Sequence, residues 1–353
     1  DTQVSSVSTT SPSAADQARP WWRYPIVWMV IGGPLIVVVA SLITTGIAFK
    51  NVDPVLDTSV NQVSAPSEAP AVKARNQFVW FRKWIMERQV YKYLVRDSGL
   101  SQSNIQRLFK GYLSSAPTVA IRSKAKVHLL IDGSYFANGL CLILYYDHDI
   151  RYVQLYRETD GEKYREVKED LENLKRLGVD VHSVTCDGHK AIMKAIRKAY
   201  PDAVIQRCLV HVKRQARNYL SAKPKLPQAK ELLRLSNRVT AIRSQEECAS
   251  WLAGFHLWYN ENEAFINEQS MDAETGRFWY THKNLHATCS LLINAIPDMF
   301  RYLDDPAIPN TTNRLESYFA HLKEKLTLHR GLRFEAKKNF IKWYLHFKNN
   351  PGK

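Results

Sequence analysis

Apolar and polar positions change rhythm twice along this 353-residue chain. Pro25 to Phe49 is uncharged, with Trp21, Trp22 and Tyr24 at one edge and Lys50 at the other. A run of that length matches a bilayer and the aromatics fall where an interfacial belt would, so residues 24–50 are expected to form a transmembrane helix, kinked near Gly32, Gly33 and Pro34. The Ser, Thr, Ala and Pro-rich residues 1–23 read as a disordered tail. Residues 51–76, with Pro54, Pro66 and Pro70 among small side chains, read as a linker.

From residue 77 apolar side chains recur at helical spacing. The stretch "FVWFRKWIMERQVYKYLVRDSGLSQSNIQRLFKGYL" puts Gly99 at a turn and Ser101 at the N-cap of a last helix, which is helix-turn-helix grammar over residues 77–115. Gln102, Ser103, Gln106, Arg107 and Lys110 would then line the exposed face of that helix, where DNA contacts are made; a plain helical hairpin is the competing reading.

After residue 126 the period shortens. "VHLLID", "LCLILYYD" and "RYVQLYR" are short apolar runs separated by turns and predict three strands in hairpin order. A helix over about Glu162 to Leu177, the strand "VDVHSVTCD", the helix "HKAIMKAIRKAY" and a short strand "AVIQRC" follow. This alternation predicts a mixed-sheet α/β domain of the ribonuclease H type, in which the first and fourth strands lie side by side. Asp132 and Asp187, each followed by glycine, would then meet at one edge of the sheet.

Two neighbouring carboxylates repel, and burying them unpaired is costly, so the arrangement calls for a divalent cation between them. Oxygen ligands favour Mg²⁺ or Mn²⁺, two ions per site where a third acid joins. Each Asp-Gly pair also reads as an ordinary turn. Glu316, near the start of a helix expected from Thr312, is the candidate third acid, with Lys323, His329 and Arg330 supplying positive charge around a DNA backbone.

Charge sharpens this picture. The chain holds 49 basic and 34 acidic side chains, five of each before residue 76, which leaves 44 against 29 in the remainder. That excess favours a polyanionic partner, although a solvated basic surface would look the same. Cys141, Cys186, Cys208, Cys248 and Cys289 are scattered and odd in number, which argues against a disulfide framework, and no C-x-x-C pair offers a zinc site.

"IDGSYF", "CDGHKAI", "IQRCLVHVKR" and "TTNRLESYFAHLKEKLTLHRGLR" resemble, in order and approximate spacing, the motifs of DDE transposases of bacterial insertion sequences in the Mutator-like group, over about residues 77–348. The resemblance implies a ribonuclease H-like catalytic domain over residues 124–220 and 308–348, with Asp132, Asp187 and Glu316 as a metal-binding triad for cleavage and strand transfer at element ends. It also implies DNA as partner and an assembly of two or more copies. Cys208 and His211 match that group's C-x-x-H element, read as structural or DNA-positioning because two residues cannot close a zinc tetrahedron. Arg207, His211, Lys213 and Arg214 of the same motif are expected along the DNA. Residues 221–307 resemble the all-helical insertion many of these enzymes carry. Trp251, Trp258 and Trp279 are expected in its core, and His282 and His286 in polar contacts near the DNA path.

"RPWWRYPIVWMVIGGPLIVVVASLITTGIAFKNVDPV" resembles the membrane anchor of FixH-like proteins, associated with assembly of a bacterial respiratory oxidase. The two resemblances conflict. A transposase belongs in the cytoplasm or nucleoid, whereas Arg19 and Arg23 before the span would keep the N-terminus cytoplasmic and put the remainder across the membrane. The expectation is therefore a chimera, membrane-associated by a single pass and lacking a few initial residues, since no Met begins it. Its rival is an oxidase-assembly anchor carrying a transposase-derived passenger.

Overall fold

The computed structural model describes residues 68–351, with side chains from Gln77 onward. Three helices come first: α1 (Glu68–Met86), α2 (Tyr91–Ser98) and α3 (Gln102–Tyr112). Gly99 ends α2 in the left-handed region, φ 69°, where a side chain would be strained, and the Ser101 hydroxyl accepts from the Asn104 N–H to start α3. Both features were expected from the sequence, for local reasons.

β1 (Lys124–Tyr135), β2 (Cys141–Asp147) and β3 (Tyr152–Thr159) run antiparallel in succession. The chain then crosses through α4 (Tyr164–Arg176) and returns as β4 (Val179–Cys186), parallel to β1 on its free side. α5 (Lys190–Ala199) leads to β5 (Val204–Arg207), parallel to β4 at the far edge. The result is a five-stranded mixed sheet in the order β3-β2-β1-β4-β5.

Helices cover both faces of this sheet, which is why its central strands β1 and β2 carry long apolar runs. Leu129 and Ile131 of β1 join Val167, Leu171, Ile192 and Ile196 from α4 and α5. Leu130 points the other way, into a cluster with Leu315 and Phe319 of α10 (Asn313–Leu328) and Phe340 and Ile341 of α11 (Phe334–Asn349). Strand alternation gives Asp132 the parity of Leu130, so it faces the side on which α10 packs.

Between β5 and α10 lie α6 (Leu209–Leu220), α7 (Pro227–Arg238), α8 (Gln245–Ile266) and α9 (Lys283–Met299), with a core of their own around Trp251, Phe255 and Leu292. The all-helical expectation for residues 221–307 needs correction. β6 (Gln269–Met271) and β7 (Phe278–Tyr280) form a small hairpin there, closed by an Asp272 carboxylate that accepts from the N–H groups of Glu274 and Thr275. Trp251 and Trp258 are buried as expected, but Trp279 sits on this hairpin, 48% exposed.

The linker expected over residues 51–76 ends sooner than composition suggested, because α1 already begins at Glu68. The helical hairpin is not a separate core: Phe81 packs on Phe109, Tyr112 and Trp343, joining α1 and α3 to α11. Single-pass membrane association is corrected too. Among the described residues no helix is long and apolar enough to cross a membrane. The longest, α8, carries Glu246, Glu247, Glu261 and Glu263. The tail at 1–23, the proposed span at 24–50 and its FixH-like resemblance lie outside the described residues.

The edge strand β3 is guarded by one side chain. Buried Asn349, the last residue of α11, accepts from the Val153 N–H at 2.9 Å and donates to its carbonyl at 2.9 Å, filling backbone positions that would otherwise stand open. Asn349→Ala should leave both groups unpaired and lower stability by about 2 kcal/mol in urea unfolding; an unchanged midpoint would show that the clamp contributes nothing.

Candidate active site

Two strand ends and one helix start converge. The β1–β4 pairing is last recorded at Leu130 opposite Thr185, and Asp132 and Asp187 each lie two residues beyond, level with one another. Asp132 is buried; its own Oδ1 accepts from the Gly133 N–H at 3.0 Å. Asp187 is half-buried, and its Oδ1 accepts from the His189 N–H at 2.7 Å, which fixes the turn into α5. Gly188 between them adopts φ 86° and lies directly against the Arg207 guanidinium, so neither its conformation nor its space admits a side chain.

Glu316 arrives in the first turn of α10, whose N-cap is Thr312. The helix start is tied down by the C-x-x-H element at the beginning of α6. Cys208 Sγ accepts from the Thr312 N–H at 3.2 Å, and His211 Nδ1 lies 3.3 Å from the Thr312 hydroxyl. On its other side His211 Nε2 stands 3.5 Å from Glu316 Oε1, an ion-pair distance without hydrogen-bond geometry, and Arg214 donates to Glu316 Oε2 at 2.7 Å. Burial alone would raise the Cys208 thiol and lower the imidazole. Their mutual hydrogen bond reverses both, holding Cys208 below its usual value and His211 up at about 9, with Asp132 and Glu316 adding to the latter. Cys208 and His211 thus tie the start of α6 to the start of α10 through Thr312.

A fourth carboxylate was missed by sequence reasoning. Glu162, in the turn between β3 and α4, lies over Gly133, where any Cβ would collide with it, and its Oε2 is 3.9 Å from His189 Nδ1. It thus sits between the two Asp-Gly loops. Burial raises its carboxyl, and Asp187 pushes the same way. Its only sequence signal was a turn acid after "YRETDG", indistinguishable from a solvated one.

The electrostatic sum falls on Asp132. Burial raises its carboxyl to about 7; His211 opposes this, while Asp187, Glu162 and Glu316 add to it. Such a set suits a hard divalent cation in two respects: carboxylates whose mutual repulsion is only partly offset by His211 and Arg214, and a buried Glu316 Oε1 with no hydrogen-bond partner. It is not gathered into a ligand shell. Among the described residues no three His, Cys, Asp or Glu side chains converge to hold an ion, and Arg214 and His211 draw Glu316 to themselves.

The residues expected along DNA divide. Gln102, Ser103, Gln106, Arg107 and Lys110 are all exposed on α3, Lys323 and Arg330 are exposed at and beyond the end of α10, and Lys213 is half-buried. Arg214 is exposed but paired with Glu316. Two expectations are corrected. Arg207 is buried beneath Gly188, with Nη1 3.8 Å from Met193 Sδ, so it underpins the Asp187 loop from inside. His329 is buried between Trp84 and Phe340, and burial pulls its imidazole below the usual value. His282 precedes α9, stacks on Phe265 and meets Glu268 Oε2 at 3.1 Å, while His286 stacks on Tyr280.

Comparison with known proteins points one way. A family model described as "Transposase, Mutator family" matches residues 151–273, a stretch that includes Asp187 but neither Asp132 nor Glu316. The transposase for insertion sequence element ISRM5 of Rhizobium meliloti (strain 1021) is 27% identical over 181 residues, 48% of this chain and 46% of that protein. The chain thus matches less than half the length of this curated relative. Among solved structures, a chain of the simian T-cell lymphotropic virus intasome in complex with PP2A regulatory subunit B56 gamma aligns at 11% identity, covering 56% of this chain and 70% of that one. Its TM-score of 0.19 is too low to carry an argument. The family and sequence likenesses support a Mutator-like transposase.

A carboxyl raised from 3.8 to about 7 on folding makes the folded state the better proton binder between those values, so stability is full below about pH 4 and is lost as pH rises through 7. Asp132→Asn should match the natural protein at pH 4 and exceed it at pH 8, by at most about 4 kcal/mol. Urea unfolding at the two pH values checks this, and a variant no more stable at pH 8 would mean that the carboxylate is already compensated.

Proposed function

We propose that the chain is a DNA transposase of the Mutator-like group, cleaving and joining strands at insertion-sequence ends through Asp132, Asp187 and Glu316. The observation that carries this reading is the level placement of Asp132 and Asp187 on neighbouring parallel strands, with Glu316 within electrostatic reach of Asp132. The sheet order, with antiparallel β1 to β3 followed by parallel β4 and β5, supports reading this domain as ribonuclease H-like. On this view residues 124–220 and 308–348 make the catalytic domain, 221–307 the insertion and 77–115 a helix-turn-helix DNA-binding segment.

The three acids would hold two Mg²⁺ or Mn²⁺ ions, which when bound supply Lewis acidity to an attacking hydroxyl and to the departing 3′-oxygen. The chain's own residues provide position and charge. The sheet keeps Asp132 and Asp187 level, and the Cys208–His211–Thr312 latch sets the depth of α10 and hence of Glu316. Arg214, which donates to Glu316 at 2.7 Å, would stand beside a phosphate held at these carboxylates. Water, or later a DNA 3′-hydroxyl, attacks the phosphodiester, the P–O bond to the leaving oxygen breaks, and no covalent enzyme intermediate is needed. Lys213, Lys323 and Arg330 lie along the DNA path, with Gln102, Ser103, Gln106, Arg107 and Lys110 on α3. Acting on two element ends calls for an assembly of at least two copies.

The test is Mg²⁺-dependent nicking and joining of duplexes carrying the ends of the element that encodes the chain. Asp132→Asn, Asp187→Asn and Glu316→Gln should each reduce both steps by roughly 100-fold or more while DNA affinity in a gel-shift assay stays within about threefold. Cleavage retained by one variant would remove that residue from the triad; cleavage retained by all three would end this reading of the site.

A further inference from the structure

The two elements that deliver the first and third acids continue into a second feature. Seven residues beyond Glu316, two turns or about 10 Å along α10, stands Lys323. Three residues beyond Asp132, also about 10 Å, β1 ends at Tyr135. Tyr135, Phe136, Phe334, Lys323, Arg330 and Lys337 line one cavity of about 420 Å³, floored by Leu140, Leu326 and Ile341. That volume falls in the range of ~300–1,000 Å³ typical of small-ligand pockets.

The lining specifies what fits. Three aromatic rings come from the end of β1, the residue after it and the start of α11, and Tyr135 is 58% and Phe334 36% exposed, large apolar surfaces to leave in water. Three cations share the wall, no carboxylate lines the cavity, and among the described residues none of the three forms a salt bridge. Lys323 stands over the Phe136 ring at 5.3 Å, the one partner any of them has there. An occupant must therefore be anionic, carry a flat π face and be small. A peptide segment meets the first condition only through its side chains, whereas a single nucleotide meets all three.

We propose that this cavity receives one unstacked nucleotide of the DNA strand whose phosphodiester lies at the carboxylates, its base against the Tyr135 and Phe334 rings and its phosphate toward Lys323, Arg330 and Lys337. The assignment rests on the transposase reading and deepens it. The separation of about 10 Å from the acids is roughly three base steps at ~3.4 Å per nucleotide of one strand, so the pocketed nucleotide is a near neighbour of the reacting one. Unpairing is least costly at a duplex end or mismatch, which makes the pocket a reader of frayed element ends.

Fluorescence anisotropy with the full chain tests this, using two labelled probes: a blunt duplex, and the same duplex ending in unpaired thymidines. Tyr135→Ala and Phe334→Ala should each weaken binding of the frayed probe about tenfold and leave the blunt duplex within about twofold. Both side chains are substantially exposed, and melting curves check that the variants fold. Arg330→Gln, at an exposed position outside the helices, is the second line: it should lower the slope of log affinity against log salt by about one for the frayed probe and by clearly less for the blunt duplex. Equal losses on both probes, or none, overturn the pocket while leaving the transposase reading intact. Failure of the unaltered chain to bind either probe overturns both together.

Discussion

Parallel pairing of β1 with β4 is the constraint on which the site depends. Parallel neighbours cannot be joined by a tight turn, so the chain must travel through β2, β3 and α4 before β4 can dock, and that excursion separates Asp132 from Asp187 by 55 residues in sequence while leaving them level in the sheet. The pairing is stabilised from both faces at once. Leu129 and Ile131 anchor it to α4 and α5, Leu130 to α10 and α11, and loss of either layer would expose these apolar side chains to water.

Delivering carboxylates to a covered sheet creates a charge problem, and much of the surrounding structure answers it. Asp132, Asp187, Glu162 and Glu316 interact unfavourably, and burial adds to the cost at Asp132. His211 and Arg214 on α6 offset part of this by pairing with Glu316, and Cys208, held below its ordinary value, keeps His211 charged. The C-x-x-H element also ties the start of α10 to α6 through Thr312. Arg207, buried behind Gly188, backs the second acid from within.

The aromatic core joining α1 and α3 to α11 has a mechanical consequence. Helices that present exposed polar residues on α3 are fixed through Phe81, Tyr112 and Trp343 to the same terminal helix that closes one face of the sheet and clamps its edge with Asn349. A ligand held on α3 would therefore be held in register with the carboxylates and would not move on a tether. Lys323 and the pocket beside it lie on the helix that also packs in this cluster.

What could be read without coordinates was whatever depends on near neighbours in the chain. Short apolar runs marked the five strands of the main sheet and period-3.6 patterns the helices around them, Gly99 and Ser101 marked a helix end and start, and two Asp-Gly turns with a helical glutamate marked the candidate acids. Tertiary structure alone decided which of these groups face water and which face one another. Arg207 and His329 read as phosphate contacts but are buried, Trp279 read as core but is exposed on a hairpin, and Glu162 read only as the start of a helix but lies over Gly133. The physical reason is common to all four: propensity and periodicity act over a few residues, whereas burial and charge coupling are set by segments far apart in sequence, here β3–α4 against β1 and α1 against α11.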